Sequence, residues 1–322
     1  MRKIRLGIIG TGIAARELHL PALKHLTDQC TITCVCNHTE PKAKAFAHLS
    51  GDVPYVLDYR ALLDRDDVDA VDIVLPIDLN YKVTRDALQA GKHVILEKPL
   101  AANLAEAKKM LRFPKQYRKV MMVAENFRYR PVFLRAKNLL DRGSIGRPYS
   151  AFWNVFHQLT PANQYVRTQW RLRHKYPGGF ITDGGVHNVA ALRLLLGDIV
   201  SGGAFTKSIN RAVGKMDTMS FQFATRRGIN GVLNIFCSAV GYNEHRLVIL
   251  GSRGTMVIEE NIITIKKPGK PDDQEFVEDD GGFLEEFTNF FAAIRGRQKV
   301  LSTFADGYRD LETILKAFRP AG

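Results

Sequence analysis

The chain has 322 residues, enough for about two domains and a sizeable core without disulfides or a structural metal. Apolar residues make up 45% and charged residues 25%, which excludes a disordered, collagen-like or coiled-coil chain. Forty-six Lys and Arg against 33 Asp and Glu leave a net charge of +13, a balance that suits anionic ligands: nucleotides, acidic or phosphorylated metabolites, or nucleic acid.

Residues 5–9 read as the first strand. Met1-Arg2-Lys3 imitates the start of a leader peptide, but Arg5 interrupts the apolar stretch and Arg16-Glu17 ends it, so no leader is expected. The longest apolar stretches elsewhere fall far short of the ~20 residues that cross a bilayer, so no membrane span is expected. Cysteines crowd at 30, 34 and 36 with Cys237 alone, which is no extracellular framework and points to a reducing cytoplasm.

The first strand runs into Gly10-Thr11-Gly12-Ile13-Ala14-Ala15, a G-x-G-x-x-A turn. Gly10 permits the tight turn, Gly12 lets the backbone approach a pyrophosphate, and small Ala15 allows close helix-to-strand packing. The second strand, 31–36, ends at Asn37-His38. Sites that prefer the unphosphorylated dinucleotide usually carry an acid at this point. Asn37 can still bond a ribose hydroxyl, and its neutrality removes the repulsion a 2'-phosphate would feel, with His38 and Lys42 near it. The cofactor reading is therefore NAD or NADP, tilted toward NADP. Cys34, Cys36 and His38 alternate, but same-face strand positions are about 7 Å apart per step, too far to share one tetrahedral zinc, and no metal is expected.

Further strands read at 53–55, 71–75, 93–96 and 120–123, with helical patterns near 14–26, 41–49, 58–63, 80–90 and 103–111. Strands apolar on both faces and alternating with helices imply a parallel sheet covered on both sides. Pro76 closes the run 71–75, Gly91 suits the end of the helix at 80–90, Asn103 suits a cap, and Pro114 separates the helix at 103–111 from the next strand. The run at 93–96 delivers Glu97-Lys98-Pro99 to its carboxyl end, where ligands of such sheets bind. Glu97 reads either as a partner of Lys98 or as a cap of local backbone groups.

From residue 124 the rhythm changes. A helix at 131–142 precedes a strand at 149–157, a long Arg-rich loop, and a helix read as starting near Asp183 and ending by Gly197. If that helix starts at or just before Asp183, the i, i+4 spacing puts Asp183 and His187 on one face. Strands then read at 203–209, 216–223, 231–236, 245–250, 254–259 and 262–266, a largely antiparallel sheet whose outer face suits an oligomer interface. Residues 267–280 read as an exposed loop. Helices return at 283–295 and 303–319, with Phe287, Phe290, Phe291 and Ile294 as core.

With these motifs in place the chain resembles the glucose-fructose oxidoreductase and inositol dehydrogenase family, often called Gfo/Idh/MocA. The resemblance rests on Gly10-x-Gly12-x-x-Ala15, His19-x-Pro21-Ala22-Leu23, Ala90-Gly91-Lys92-His93-Val94 leading into Glu97-Lys98-Pro99, and Gly178-Gly179-x-x-x-Asp183-x-Gly185-x-His187. It implies an α/β chain: an N-terminal Rossmann dinucleotide-binding domain, residues 1–123, and a C-terminal α/β domain on a large, mainly antiparallel sheet, residues 124–322. The second domain would bind substrate and form a homodimer or homotetramer. Two departures bear on preference: Asn80 lies where many relatives have His, and Asn37 replaces the ribose-facing acid.

The set expected at the cofactor is Gly10, Thr11, Gly12, Ile13 and Ala14 in the turn, Asn37, His38 and Lys42 beside the ribose, and Pro76, Asn80, Glu97 and Lys98 at later strand ends. The resemblance places the catalytic Lys on Lys98 and the substrate-facing Asp and His on Asp183 and His187, in one cleft. His187 would be the immediate acid/base, Lys98 bonded to the reacting oxygen, and Asp183 the orienting group, with the first two roles exchangeable. A sugar, sugar derivative or cyclic polyol suits walls of Tyr129, Arg130, His157, Trp170 and Arg171. A reductase of a non-sugar diol or carbonyl and a non-catalytic dinucleotide sensor are the competing readings. The basic, aromatic segment 167–176 resembles a nucleic-acid surface, yet no helix-turn-helix or finger spacing accompanies it, and no nucleic-acid partner is expected.

Overall fold

Strands apolar on both faces must be covered on both, and the first part of the chain builds such a sheet. The computed structural model describes residues 2–174 and 176–318. In it β1 (Ile4–Ile9), β2 (Cys30–Cys36), β3 (Tyr55–Val56), β4 (Ala70–Ile73), β5 (His93–Glu97) and β6 (Met121–Ala124) are all parallel, in the order β3-β2-β1-β4-β5-β6. The connecting helices are α1 (Leu20–His25), α2 (Glu40–Leu49), α3 (Tyr59–Leu63), α4 (Asn80–Gln89) and α5 (Leu104–Met110), with a short α6 (Phe113–Gln116). Pro114 belongs to α6 instead of separating elements, because a first helical turn needs no backbone N–H from it. The strand expected at 71–75 ends at Ile73, and Pro76 precedes a 3-10 turn, Ile77–Leu79.

The strand order reverses between β1 and β4, the arrangement that opens a crevice beyond the carboxyl ends. This is the parallel sheet that the alternating pattern implied, in the Rossmann arrangement that the resemblance implied.

The remaining chain forms α7 (Pro131–Asp141), β7 (Pro148–Phe156), α8 (Gln169–Leu172), α9 (Gly179–Leu196), β8 (Ile199–Lys207), β9 (Thr218–Thr225), β10 (Asn230–Phe236), β11 (Glu244–Gly251), β12 (Gly254–Glu259), β13 (Ile262–Lys266) and β14 (Asp273–Phe276), followed by α10 (Phe283–Ile294) and α11 (Phe304–Ala317). Its eight-stranded sheet, β14-β13-β12-β11-β7-β10-β9-β8, is antiparallel throughout except for the parallel pair β7 and β10. Residues 267–280, read as a loop, contribute β14 at this sheet's edge, where an exposed polar strand needs only main-chain pairing.

Helix α9 also corrects the sequence reading, since it starts at Gly179, four residues before Asp183. Its glycines look like loop residues in a window of sequence. Gly178 takes a left-handed φ of 82° at the N-cap, and a Cβ on Gly185 would lie 2.7 Å from the Cδ1 of Ile314 and 3.0 Å from the Cδ1 of Ile235, so a larger residue would make these side chains shift. Asp183 therefore lies inside the helix and not at its cap.

Alternation sets the inner face of the second sheet. Ala151, Trp153 and Val155 of β7 are buried with Leu233 and Ile235 of β10, and Phe133 of α7 meets Trp153 edge-on at 5.7 Å. Phe287, Phe290 and Phe291 of α10 are fully buried, as their spacing indicated. The chain divides into two compact units, one of residues up to Asn126 with Gly282–Arg309, the other of Phe127–Gly281 with the residues from Asp310 on. Residues 282–309, assigned to the second domain by a single boundary at 123/124, thus pack within the first unit. Among the described residues no helix is long and apolar enough to cross a membrane.

The carboxyl-terminal end of α9 is tied down by charge. Arg193 pairs with Asp198 at 2.8 Å and with Asp310, and Arg128 donates to both oxygens of Asp310 at 2.8 Å. The side chains of Arg128, Arg193 and Asp310 are all at most 6% exposed. Removing the shared carboxylate strands buried guanidinium charge, so Asp310→Ala is expected to cost about 3–5 kcal/mol, read as a lower denaturant midpoint at unchanged slope. A loss below about 1 kcal/mol would show that the network is not a structural anchor.

Candidate functional site

Register aligns the strand ends of the first unit: Ile9 lies opposite both Cys36 and Ile73, and Ile73 opposite Leu96. The residues that follow, Gly10, Asn37 and Glu97, therefore share one edge of the sheet. Gly10 turns with φ of 100°, and a Cβ there would lie 2.1 Å from the carbonyl oxygen of Val74, so no other residue fits. Gly12 is different: it is exposed, and a Cβ on it would meet nothing within 4 Å. Packing leaves that position open, and Ile13 and Ala14 then begin a helix whose first amides lie beside the opening. Such a turn, with free space over its second glycine, fits a dinucleotide pyrophosphate.

Asn37 is locked beside this turn. Its amide donates to Thr11 Oγ1 at 2.8 Å, and its Oδ1 accepts from the Thr39 backbone at 2.9 Å. Thr11 Oγ1 in turn donates to the Lys42 carbonyl at 3.4 Å, while the His38 and Lys42 side chains are exposed. The ribose-side candidates thus cluster around the turn.

Glu97 and Lys98 are half-buried at the end of β5, and the Lys98–Pro99 peptide is cis. Asn80, expected against the cofactor, is fully buried. Its Nδ2 donates to the carbonyls of Glu97 at 3.0 Å and Pro99 at 2.8 Å, a clamp on the main chain either side of Lys98. Pro76 is half-buried at the neighbouring strand end.

Behind this turn lies a cluster that residue patterns did not reveal. His19 Nδ1 lies 2.8 Å from Asp72 and its Nε2 3.0 Å from Glu97, with both His19 and Asp72 fully buried. Burial opposes the imidazolium, but Asp72 and Glu97 outweigh it and hold His19 well above the ordinary imidazole range. Glu286 of α10 is also fully buried, and burial, with Glu97, Glu125 and Asp72 adding to it against His19, pushes its carboxyl well above the usual carboxylate range. Two signals were available in sequence: an Asp inside the apolar run Ala70-Val71-Asp72-Ile73, and the His of His19-x-Pro21.

In the second unit α9 presents Asp183, which is buried, and half-buried His187 one turn later. Arg171 of α8 donates to Asp183 at 2.7 Å and lies over the rings of Trp170, at 4.1 Å, and Tyr165, at 5.0 Å. This stacked, paired guanidinium fixes the Asp183 carboxylate, a contact that sequence reasoning missed because it treated Arg171 only as a pocket wall. His187 stacks on Phe127 at 4.8 Å. Of the other wall candidates, Trp170 is half-buried, Tyr129 is buried at 2% exposure, and Arg130 is engaged by Asp279 at 3.0 Å and Asn261 at 3.2 Å. His157 is half-buried, and burial holds its imidazole below the ordinary range.

Residues 4–125 match the family model described as GFO/IDH/MocA oxidoreductase family, NAD-binding Rossmann fold, and residues 133–257 match the GFO/IDH/MocA C-terminal domain. The fold superimposes on an oxidoreductase from Thermotoga maritima with a TM-score of 0.94, at 38% identity over 100% of this chain and 97% of the other. It is also similar to a 3-ketoreductase from Actinomadura kijaniata in complex with NADP and TDP-benzene, with a TM-score of 0.86, 25% identity and coverage of 99% and 97%. By sequence it is 28% identical to a 1,5-anhydro-D-fructose reductase from Ensifer adhaerens over 98% of this chain and 96% of that protein.

His245 offers a pH test of the second unit. Burial, aided by Arg130 and His157, lowers its imidazole to about 4 from an ordinary value near 6.5. The folded state therefore keeps it neutral, and this stabilisation is complete above about pH 6.5 and is lost as pH falls toward 4. His93, held at about 4 chiefly by burial, adds to the same slope. Replacing His245 with Gln is expected to flatten the stability curve between those pH values while leaving the part due to His93. An unchanged acid slope in urea unfolding would remove His245 from the account.

Proposed function

The chain belongs to the GFO/IDH/MocA oxidoreductase family, and from that premise we propose that it transfers a hydride between a nicotinamide dinucleotide and a secondary alcohol or ketone of a sugar, sugar derivative or cyclic polyol. The observation that carries the reading is the shared sheet edge, where the turn with open space over Gly12 lies in register with Glu97 and Lys98. When bound, the nicotinamide supplies or accepts the hydride.

The chain's own residues do the rest. Gly10, Thr11, Gly12, Ile13 and Ala14 would cradle the pyrophosphate, with Asn37, His38 and Lys42 at the adenosine ribose and Pro76 and Glu97 toward the nicotinamide end, while buried Asn80 acts through the main chain it holds at Glu97 and Pro99. Lys98, at the clamped turn, hydrogen-bonds the reacting oxygen and biases its charge. His187 moves the proton at that oxygen, and Asp183, held by Arg171, orients a neighbouring hydroxyl. Of the substrate set Tyr129, His157, Trp170 and Arg171, the last three keep surface to offer, the exposed part of Trp170 presenting an apolar face to a ring. The sugar class is supported by relatives that act on 1,5-anhydro-D-fructose and on keto groups.

The same reading makes the protein a cytoplasmic homodimer or homotetramer. Four free, buried cysteines support a reducing compartment, with burial as the main cause that pushes Cys30, Cys36 and Cys237 up to about 12. Phe152 and Phe205, 40% and 89% exposed on the outer sheet face, support association there, and sedimentation velocity measures it.

Gly12→Val is expected to leave the fold intact and weaken NADH and NADPH binding at least about tenfold by nicotinamide fluorescence, since the side chain enters space that packing leaves open. Equal affinity would remove the turn from the cofactor site. Asn37→Asp is expected to lower kcat/KM for NADPH relative to NADH by about tenfold, through repulsion of the 2'-phosphate. An unchanged ratio would place the side chain away from the ribose.

Turnover is tested on a sugar panel that includes 1,5-anhydro-D-fructose. Lys98→Ala and His187→Ala should each keep cofactor binding and lose on the order of 10²-fold in kcat, with the double variant losing little more than either single. Near-wild-type turnover in both would leave a shared fold without the assigned chemistry.

A further inference from the structure

The helix after the nucleotide turn does not run regularly. Ala15–His19 forms a π-helical turn, a local geometry that recurs at functional sites, and it delivers His19 into the buried cluster behind Glu97. There both ring nitrogens meet carboxylate oxygens, at 2.8 Å on Asp72 and 3.0 Å on Glu97. A neutral imidazole donates from one nitrogen only, so its other nitrogen would face an acceptor unless a carboxyl carried the proton. Two short contacts to two carboxylates match a ring that donates from both sides.

The surroundings leave His19 little freedom. The rings of Phe287 and Phe283, both of α10, lie 5.2 Å and 6.2 Å from the imidazole. Glu286 of the same helix is fully buried, and neither of its carboxyl oxygens has a hydrogen-bond partner among the described residues. His19 thus faces Asp72 from β4, Glu97 from β5 and Glu286 from α10, and Glu286 in turn feels Glu125 just after β6. Glu97 is held by its side chain through His19, while Asn80 holds the main chain at Glu97 and Pro99. Lys98 is the residue between those two fixed points.

We propose that His19 is a positioning residue for the hydride-transfer reaction: by bridging Asp72 and Glu97 it fixes the Glu97 carboxylate and thereby the turn that presents Lys98. The inference rests on the role proposed for Lys98 above. His19 itself is buried and acts only through Glu97. Without the bridge, buried Asp72 loses its cationic partner, and the Glu97 carboxylate loses the contact that ties it to the helix after the turn.

A double-variant cycle tests this with the full-length protein, using NADPH and 1,5-anhydro-D-fructose, or the panel sugar that turns over fastest. His19→Gln should lower kcat by about 10- to 100-fold while the NADPH dissociation constant and KM move by less than about threefold. Glu97→Gln should lower kcat at least as much, and the double variant should lose no more kcat than Glu97→Gln alone. Additive losses would overturn the inference, because a general structural defect does not depend on Glu97. Lys98→Ala run alongside separates the two claims: if it keeps turnover, the role of Lys98 falls and that of His19 with it, whereas an inactive Lys98→Ala with additive His19 and Glu97 losses rejects the inference alone. Should His19→Gln fail to fold, nitrogen NMR of the histidine-labelled wild type decides. Both His19 nitrogens should be protonated at neutral pH, and one bare nitrogen, with carbon NMR showing the Asp72 and Glu97 carboxyls both ionised, would overturn the bridge.

Discussion

A carboxylate inside a buried parallel strand is the constraint on which the first unit depends. Asp72 lies between β1 and β5, opposite Ile8 and Ile95, where no solvent reaches it. An isolated buried charge of this kind costs on the order of several kcal/mol unless it is paired, and the pairing group must itself be brought in from another element. The π-turn at Ala15–His19 does this, and the same imidazole then reaches Glu97. One buried imidazole thus links the helix that follows the turn at Gly10 to β4 and to β5, the strand that presents Lys98.

The second unit uses the same physics with arginine. The contact of one Arg128 nitrogen with both oxygens of Asp310, joined by Arg193, fixes one end of α9, and Arg171 on Asp183 fixes a point near its start. Between these anchors Gly185 brings the helix close to Ile235 and Ile314. The side chains of Asp183 and His187 therefore project from a helix restrained at both ends. That suits a site whose groups must hold their geometry while a substrate binds.

Much of this was legible in sequence because its causes are local. A period of two or 3.6, a glycine that must take positive φ and a small residue at fixed spacing all act within one or two turns of chain, so the parallel sheet, the turn at Gly10 and the face shared by Asp183 and His187 could be read directly. The errors were local as well. Residues 178–182 looked like loop, yet 179–182 form the first turn of α9, and polar 267–280 looked like loop, yet Asp273–Phe276 within it pair as β14 on a solvent-facing edge. In both, contacts from elsewhere in the fold overrode what the window implied.

The sequence by itself determined the order of elements, the class of each sheet and the places where the chain carries chemistry. Only the tertiary structure decided which charges answer one another. His19 finds Asp72 and Glu97 at separations of 53 and 78 residues, Arg128 finds Asp310 at 182, and residues 282–309 return to the first unit. The physical reason is that a buried charge is stable only through its partner, and no periodicity within a single segment encodes where on the chain that partner lies.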